Sequence, residues 1–270
     1  MKLFEEFKLG ALTLSNRIVM APMTRSRAIH NIPNDLMATY YGQRSSAGLI
    51  ITEGVAPSPN GLGYPRIPGV FKSEQVEGWK LTTDAVHAKG GKIFMQIMHT
   101  GRITHPLNMP EGAVVMAPSA ITAAGQMYTD QEGMQDHPLP FEMTKSDIDL
   151  TVQEHAIAAK NAILAGFDGV EIHGANGYLV DQFLNSKSNQ RNDEYGGSDI
   201  NRSRFALEVA SAIVSEIGPE RTGIRISPFN TFNDLEIYDS IENTYERLAR
   251  EFGKLGLVYI HLIDVKNMGG

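Results

Sequence analysis

Short apolar runs recur along the chain and alternate with segments of helical spacing. The run from Gly169 to His173 sets Val170 and Ile172 against Glu171 and His173, so one face of this strand is apolar and the other is ionisable. The remaining runs have the length of buried strands and end at turn-forming residues. We predict six strands, at residues 17–24, 48–54, 92–99, 169–173, 222–228 and 258–263.

Four segments between these strands carry apolar residues three and four positions apart, as in an amphipathic helix. The first starts near Ser73 and stops at Gly90, and the second starts at a capping box of Ser146 and Asp149. The other two lie within residues 205–217 and 241–255. Because strands and helices alternate without a linker, we predict a parallel sheet with crossover helices.

Three segments interrupt this alternation. Residues 1–16 contain an alternating pattern around a glycine, which predicts an N-terminal hairpin. Residues 100–143 are too long for a simple connection and are predicted to form an inserted lid or subdomain with hairpin character. Residues 185–204 form a polar loop, and we interpret its charged side chains, Arg191 and Asp193 among them, as a structural network.

Two architectures fit the alternation, a doubly wound sheet and a (β/α)8 TIM barrel. A dinucleotide-binding sheet should carry a glycine-rich turn after its first strand, but residues 21–25 contain no G-x-G-x-x-G motif. Polar residues such as Thr24, Glu53 and Gln96 instead end several strands, as in barrels whose catalytic groups converge at the carboxyl end. We therefore predict an α/β barrel over residues 1–270, with only six of its eight βα units evident.

Composition narrows the possible partners. The net charge of -7 and a pI near 5.6 argue against nucleic acid or anionic membrane, because phosphates bind basic surfaces. The chain has no cysteine, which excludes disulfides and Cys-ligated metal and suits a cytoplasmic protein. Its start does not resemble a signal peptide, and no segment reaches the roughly 20 apolar residues that cross a bilayer.

The glycine-rich break after the fourth predicted strand brings reactive groups to a strand end. Asn176 and Tyr178 follow His173 closely, so an imidazole, an amide and a phenol emerge where barrel enzymes do chemistry. A lone histidine is more often a buried core residue, but these neighbours favour a functional role. No metal site is predicted, because three other histidines match no ligand spacing and are interpreted as solvated loop residues: His99, His105 and His137.

Motifs along the whole chain occur in a specific order, at residues 16–25, 40–44, 48–54, 96–102, 173–178, 194–198, 201–205 and 223–228. Each is weak alone, but together they resemble the Old Yellow Enzyme family of FMN-dependent barrel reductases. The resemblance implies an enzyme that uses NADPH or NADH to reduce a small-molecule substrate: an activated alkene, a nitro compound or a nitrate ester. It specifies no oligomeric state.

By position, the resemblance implies an FMN site at the strand ends. Pro22, Met23 and Thr24 would approach the isoalloxazine ring, with the Thr24 hydroxyl near its C4 carbonyl. Gly54 lies where the family places a small residue against the ring. Gln96 would hydrogen-bond the pyrimidine edge of the ring.

Arg225 is the cation that the resemblance assigns to this site, near N1 and the C2 carbonyl of the ring. Reduced flavin is anionic there, and a fixed guanidinium stabilises that charge without reorganising. An ion pair with Glu171 inside the barrel is the alternative interpretation of Arg225.

The resemblance also implies the substrate site. His173 and Asn176 would donate hydrogen bonds to the substrate oxygen, hydride would pass from flavin N5 to the β-carbon, and Tyr178 would protonate the α-carbon, its pKa of about 10 keeping it protonated at neutral pH. Tyr64 matches a pocket tyrosine of some relatives, although a loop anchor is an alternative. Met98 stands where many relatives carry tryptophan, which predicts a wider and softer pocket.

The presence of only six evident βα units leads to an expectation about cofactor binding. The loops of the last two units of such a barrel usually hold the cofactor phosphate, and without these units the first and sixth strands would flank an exposed apolar lumen. The alternative function is therefore a truncated barrel fragment that is catalytically incompetent and cannot retain FMN unless complemented. An aldolase-type barrel is set aside, because Lys92 opens its strand and Lys266 follows the last one.

Overall fold

A computed structural model describes residues 1–264, and Lys266 lies outside them. The strands, in chain order, are β1 (Phe7–Leu9), β2 (Leu12–Leu14), β3 (Val19–Met20), β4 (Leu49–Val55), β5 (Ile93–Ile97), β6 (Met116–Ala117), β7 (Gln126–Thr129), β8 (Gly133–Asp136), β9 (Phe141–Glu142), β10 (Gly169–Gly174), β11 (Thr222–Ile226) and β12 (Tyr259–Leu262). The helices are α1 (Asp35–Gly42), α2 (Ser73–His87), α3 (Lys145–Leu164), α4 (Leu179–Leu184), α5 (Asp199–Arg202), α6 (Arg204–Ile217) and α7 (Ile241–Leu255).

The main sheet contains six parallel strands that pair in the order in which they occur along the chain: β3, β4, β5, β10, β11 and β12. A doubly wound sheet reverses its strand order at a switch point, and this sheet does not. Right-handed crossovers in one direction place the connecting helices on one side. The six predicted units are therefore confirmed as a parallel half-barrel sheet, whereas an eight-stranded barrel is not.

The other side of the sheet carries the predicted exposed apolar lumen. Within residues 1–264, β3 and β12 each pair with one neighbour only. Between them lies a groove of about 380 Å³, lined mainly by apolar side chains of the N-terminal hairpin, β3, β4 and β12. Leu14, Leu49 and Ile51 form its buried floor.

Local chemistry corrects several predicted boundaries. The first strand, predicted at residues 17–24, is limited to Val19–Met20, and Pro22 beyond it has no N–H to donate to a ladder. The helix α1 was not predicted; its N-cap is Asn34, whose side-chain oxygen accepts from the backbone N–H groups of Leu36 and Met37. Patterning alone is weak over such a short helix.

The capping box of α3 lies two residues earlier than predicted. Thr144 and Asp147 form it, because Thr144 N donates to Asp147 Oδ2 at 2.8 Å and Asp147 N donates to Thr144 Oγ1 at 3.2 Å. Ser146 therefore lies inside the first turn of the helix. Both positions fit the S/T-x-x-acid pattern, so the sequence did not distinguish them.

Both predicted hairpins are present. The strands β1 and β2 pair antiparallel around Gly10, whose φ of 55° suits glycine. In the inserted segment, β7 and β8 form a second antiparallel hairpin. Arg191 fastens this segment to the long polar loop: its Nη1 donates to the carbonyls of Pro118 at 2.9 Å and Met143 at 2.6 Å, and its Nη2 pairs with Asp193. This is the structural network expected from the sequence.

Candidate active site

One small cavity at the carboxyl ends of the strands gathers nearly all of the site residues that the sequence suggested. Its volume is about 80 Å³. Tyr64 is not on its wall but lies directly behind it, with its hydroxyl 2.8 Å from that of Tyr178. The lining residues are Pro22, Met23, Thr24, Gly54, Gln96, Met98, His173, Asn176, Tyr178 and Arg225.

Strand register explains why His173 and Arg225 meet. They are direct neighbours on the parallel strands β10 and β11, so both side chains point to the same face of the sheet. The backbone N–H of Ala175 donates to His173 Nδ1 at 3.3 Å, which leaves Nε2 to carry the ring proton. Burial, followed by electrostatic repulsion from Arg225 and His261, lowers the pKa of His173 to about 3. His173 is therefore a neutral hydrogen-bond donor.

Asn176 occupies a turn with a left-handed backbone, φ 58°. Asn230, in the loop after β11, donates from Nδ2 to Asn176 Oδ1 at 2.9 Å, and Asn233 donates to the Asn176 carbonyl at 2.8 Å. These contacts occupy the amide oxygen of Asn176. Its Nδ2 group therefore remains a donor at the cavity.

Tyr178 is nearly buried, and its ring packs edge-on against His173 with the centroids 4.8 Å apart. Burial and the neighbouring Tyr64 raise the pKa of Tyr178 well above its usual value. Burial also raises the pKa of Tyr64. Both phenols are protonated at neutral pH, so Tyr178 holds a proton beside two neutral donors.

Arg225 has no ion-pair partner within 4.0 Å in residues 1–264. Both carboxylate oxygens of the fully buried Glu171 are engaged elsewhere: Oε1 accepts from Gln96 Nε2 at 2.7 Å, and Oε2 lies 3.0 Å from His261 Nδ1. The expected alternative, an Arg225–Glu171 ion pair, is not formed in this geometry. Arg225 Nε is buried without a hydrogen-bond partner in the described residues, which leaves a cation beside the cavity with unused donor capacity.

Gln96 is oriented by the same carboxylate. Since its Nε2 donates to Glu171, the amide oxygen remains available as an acceptor. An acceptor from Gln96 and donors from Arg225 thus lie on the same cavity. That pairing matches a flat polar ring edge that carries both an N–H group and negatively charged acceptors.

Gly54 and Met98 share one space on the cavity wall. A Cβ atom added to Gly54 would lie 2.5 Å from the Sδ and Cε atoms of Met98, closer than atoms can approach. Met98 is only 2% exposed, so its thioether fills the volume that the glycine leaves. The methionine therefore packs against Gly54 rather than simply leaving the site open.

Two of the three histidines predicted to be solvated loop residues, His99 and His137, are buried instead. The His99 ring stacks on that of His155 with the centroids 6.5 Å apart, and burial lowers its pKa to about 3. His105 Nδ1 accepts from the Leu107 backbone, and His137 Nδ1 bonds the Thr104 carbonyl. Residues 1–264 contain no group of three or more His, Cys, Asp or Glu that could hold a metal ion. Within the same residues, every helix is too short or too polar to cross a bilayer.

Sequence reasoning missed the residues that hold the Asn176 turn. They are Asn230 and Asn233 in the loop after β11, together with Asp181 on α4 and Tyr245 on α7. The asparagine-rich run after Pro228 was the available signal, because asparagine side chains often fix loop backbone. Nothing in the local pattern marked Asp181 or Tyr245.

Fold and cavity together are those of a barrel-type oxidoreductase, and comparison with known proteins makes this specific. Residues 2–267 match the profile of the NADH:flavin oxidoreductase / NADH oxidase family. The chain belongs to this family, the Old Yellow Enzyme family.

Relatives with similar sequences include two reductases. A probable flavin mononucleotide-dependent alkene reductase of Leishmania infantum is 49% identical over 230 residues, which cover 83% of this chain and 63% of that protein. The 12-oxophytodienoate reductase 7 of Oryza sativa subsp. japonica is 45% identical over 271 residues, covering 96% of this chain and 68% of the relative. The chain thus spans less than two thirds of the length of the first relative.

Solved structures of morphinone reductase resemble this chain in fold. Morphinone reductase superposes with a TM-score of 0.95 at 43% identity, covering 99% of this chain and 73% of its own. A structure of morphinone reductase in complex with tetrahydroNAD superposes with a TM-score of 0.94, also at 43% identity, over 97% of this chain and 73% of its own.

We predict that Gly54→Ala and Met98→Ala are energetically coupled. Gly54→Ala should destabilise the protein by about 1–2 kcal/mol, because the new methyl group must displace the thioether. Met98→Ala should cost about 2–4 kcal/mol, because it leaves a cavity. In the double variant the new methyl group occupies the space that the smaller side chain leaves. Its loss of unfolding free energy, measured by urea unfolding, should therefore be at least about 1 kcal/mol smaller than the sum of the losses in the two single variants.

Gly253→Ala is the matched control, since a Cβ atom at Gly253 on α7 meets nothing within 4 Å. This change should leave stability unchanged or raise it by up to about 1 kcal/mol. Strictly additive losses at Gly54 and Met98 would show that the two residues do not share the space.

Proposed function

We propose that this protein is an FMN-dependent ene-reductase that takes hydride from NADPH or NADH and reduces activated alkenes. The observation that supports the proposal best is the convergence of neutral His173, Asn176 and protonated Tyr178 with unpaired Arg225 on one cavity. A site that stabilises the charge developing in a transition state needs hydrogen-bond donors and a cation that are fixed and buried. Similarity to known reductases does not favour the alternative of an incompetent fragment.

The residues present fit FMN. Arg225 supplies an unpartnered buried guanidinium nitrogen, and Gln96 supplies an amide oxygen beside it; together they would hold the polar edge of the ring. Pro22, Met23 and Thr24 line the cavity from the end of β3 and would contact the ring. Gly54 and the Met98 thioether that packs against it line the same cavity and would form part of the wall against the ring.

FMN, when bound, would supply the hydride chemistry that links the reduced nicotinamide to an electron-poor carbon–carbon double bond. His173 and Asn176 bind the substrate through its carbonyl or nitro oxygen. Their two N–H donors draw electron density away from the double bond. Because His173 is neutral, it donates without carrying a competing positive charge.

Tyr178 delivers the proton that completes the reduction. Its hydroxyl is held by Tyr64, and burial keeps it protonated. A general acid must keep its proton until the transition state forms, and this environment ensures that. Tyr64 thus supports Tyr178 and borders the space in which the substrate lies.

The substrate class follows from the donors. A pair of neutral N–H groups beside a phenol suits α,β-unsaturated carbonyl compounds, nitroalkenes and nitrate esters. The names of relatives agree at this coarse level, since they include an alkene reductase and 12-oxophytodienoate reductases. The partner in each case is a small molecule.

The direct test is spectroscopic. Purified protein reconstituted with FMN should be yellow, should be bleached anaerobically by NADPH or NADH, and should recover its colour when 2-cyclohexenone is added. Protein that fails to retain FMN, or reduced flavin that an enone does not reoxidise, would refute the proposal.

Tyr178→Phe separates the two half-reactions. We expect flavin reduction by NADPH to keep its rate, whereas reoxidation by 2-cyclohexenone slows by about 100-fold, because the proton donor is lost. Stopped-flow absorbance measures both rates. Tyr128→Phe is the control, since Tyr128 is 50% exposed on β7 and its loss should change neither rate. A slower reductive half-reaction with unchanged reoxidation would reject the role assigned to Tyr178.

His173→Ala combined with Asn176→Ala tests the oxygen-binding pair. Each hydrogen bond is worth about 0.5–1.5 kcal/mol, so the double variant should bind p-hydroxybenzaldehyde about 5- to 150-fold more weakly, read from the perturbation of the flavin spectrum. FMN affinity should be retained, because neither residue is assigned to the ring. Unchanged affinity for the phenol would contradict the assignment.

A further inference from the structure

Asp181 is a buried carboxylate that does not reach the cavity. It lies in the first turn of α4 and is 2% exposed. Within residues 1–264 it forms no ion pair with lysine, arginine or histidine within 4.0 Å. Burying an unpaired carboxylate is unfavourable, and burial raises the pKa of Asp181 to about 6. Such a residue requires a reason beyond packing.

The partners of Asp181 are all hydrogen-bond donors and come from three different elements. Oδ2 accepts from the backbone N–H of Gly177 at 2.9 Å and from Ser227 Oγ at 3.3 Å. Oδ1 accepts from Tyr245 OH at 3.0 Å. Only a group that accepts at both oxygens satisfies three donors at once. Aspartate therefore fits this position, because asparagine would have one accepting oxygen in place of two and the Tyr245 hydroxyl would have to accept rather than donate.

Ser227 extends the same contact to Asn176. Its Oγ accepts from the backbone N–H of Asn176 at 2.8 Å while it donates to Asp181. The two successive backbone N–H groups of Asn176 and Gly177 therefore donate to the hydrogen-bonded pair of Ser227 and Asp181. The backbone of the turn is thus held by two hydrogen bonds.

The turn needs such support because its backbone is strained. Asn176 has φ 58° and Gly177 has φ 73°, and left-handed conformations are unfavourable for residues with a Cβ atom. A Cβ atom at Gly177 would lie 2.7 Å from Asn233 Cβ, so only glycine fits there. If the two N–H bonds were lost, the backbone would relax toward ordinary angles and would rotate the amide of Asn176 away from the cavity.

We propose that Asp181, with Ser227 and Tyr245, is a positioning residue for this reaction. It holds the Asn176–Gly177 turn in its left-handed form, so that the Asn176 amide stays directed at the substrate. This inference rests on the proposed function, because it names what aligns the oxygen-binding amide. Asp181 itself touches neither substrate nor cofactor.

Asp181→Asn tests the proposal on the FMN-loaded protein. We expect p-hydroxybenzaldehyde to bind about 10-fold more weakly, because a charge-assisted hydrogen bond to Gly177 N–H is replaced by a weaker one. FMN affinity should be unchanged. Asp84→Asn is the matched control, since Asp84 is exposed on α2, and it should leave ligand affinity as in the wild type.

A double-mutant cycle distinguishes positioning from general stabilisation. In an Asn176→Ala background, Asp181→Asn should cause less than a further 2-fold loss of ligand affinity, because the amide that it aligns is already gone. A full additional 10-fold loss in that background would mean that Asp181 acts through general stability and would overturn the proposal.

Backbone hydrogen exchange gives a readout that is independent of activity. The amides of Asn176 and Gly177 should exchange at least about 10-fold faster in Asp181→Asn, whereas amides of β10 keep their protection. If Asp181→Asn does not fold, Ser227→Ala removes both the acceptor of the Asn176 N–H and one donor to Asp181, and it should produce the same local effect. If a folded variant binds FMN and keeps both the amide exchange rates and the ligand affinity of the wild type, the positioning role is rejected and the proposed function remains intact. Loss of FMN binding in the wild type would instead reject the function.

Discussion

The site depends on one constraint: six parallel strands pair in chain order, so that every carboxyl end lies on the same rim. In-order pairing brings residues from β3, β4, β5, β10 and β11 to one cavity although up to about 200 positions separate them along the chain. The β10–β11 register then sets His173 beside Arg225. A one-residue slip of β11 against β10 would turn Arg225 to the face opposite His173, so strand register and chemistry are inseparable here.

Buried charge is distributed so that one cation stays available. Glu171 could have neutralised Arg225, but its two oxygens bond Gln96 and His261 instead. The guanidinium therefore keeps its charge and an unused N–H group at the cavity, and the same carboxylate turns the Gln96 oxygen outward. His173 is neutral, because its low pKa prevents a second positive charge beside that of Arg225.

Much of this arrangement was predictable from the sequence, because it is encoded locally. Alternation along Gly169–Gly174 and the glycine break after it indicated both the strand and the position of Asn176 and Tyr178 just beyond its end. What could not be predicted depends on contacts between distant segments. Asp181 reaches Ser227 and Tyr245 across 46 and 64 residues, and no periodicity records such contacts. The shift of the α3 capping box shows the limit even of local patterns, since two candidates two residues apart fit one rule.

The central claim is that Arg225 faces a ring that becomes negatively charged on reduction. Potentiometric titration of bound FMN in the wild type and in Arg225→Gln tests this most directly, with spectral recording to confirm that FMN stays bound. A cation that stabilises the reduced form by at least about 1.4 kcal/mol corresponds to about 30 mV for a two-electron couple, so the account predicts a midpoint potential at least that much more negative in the variant. An unchanged or more positive potential would contradict it.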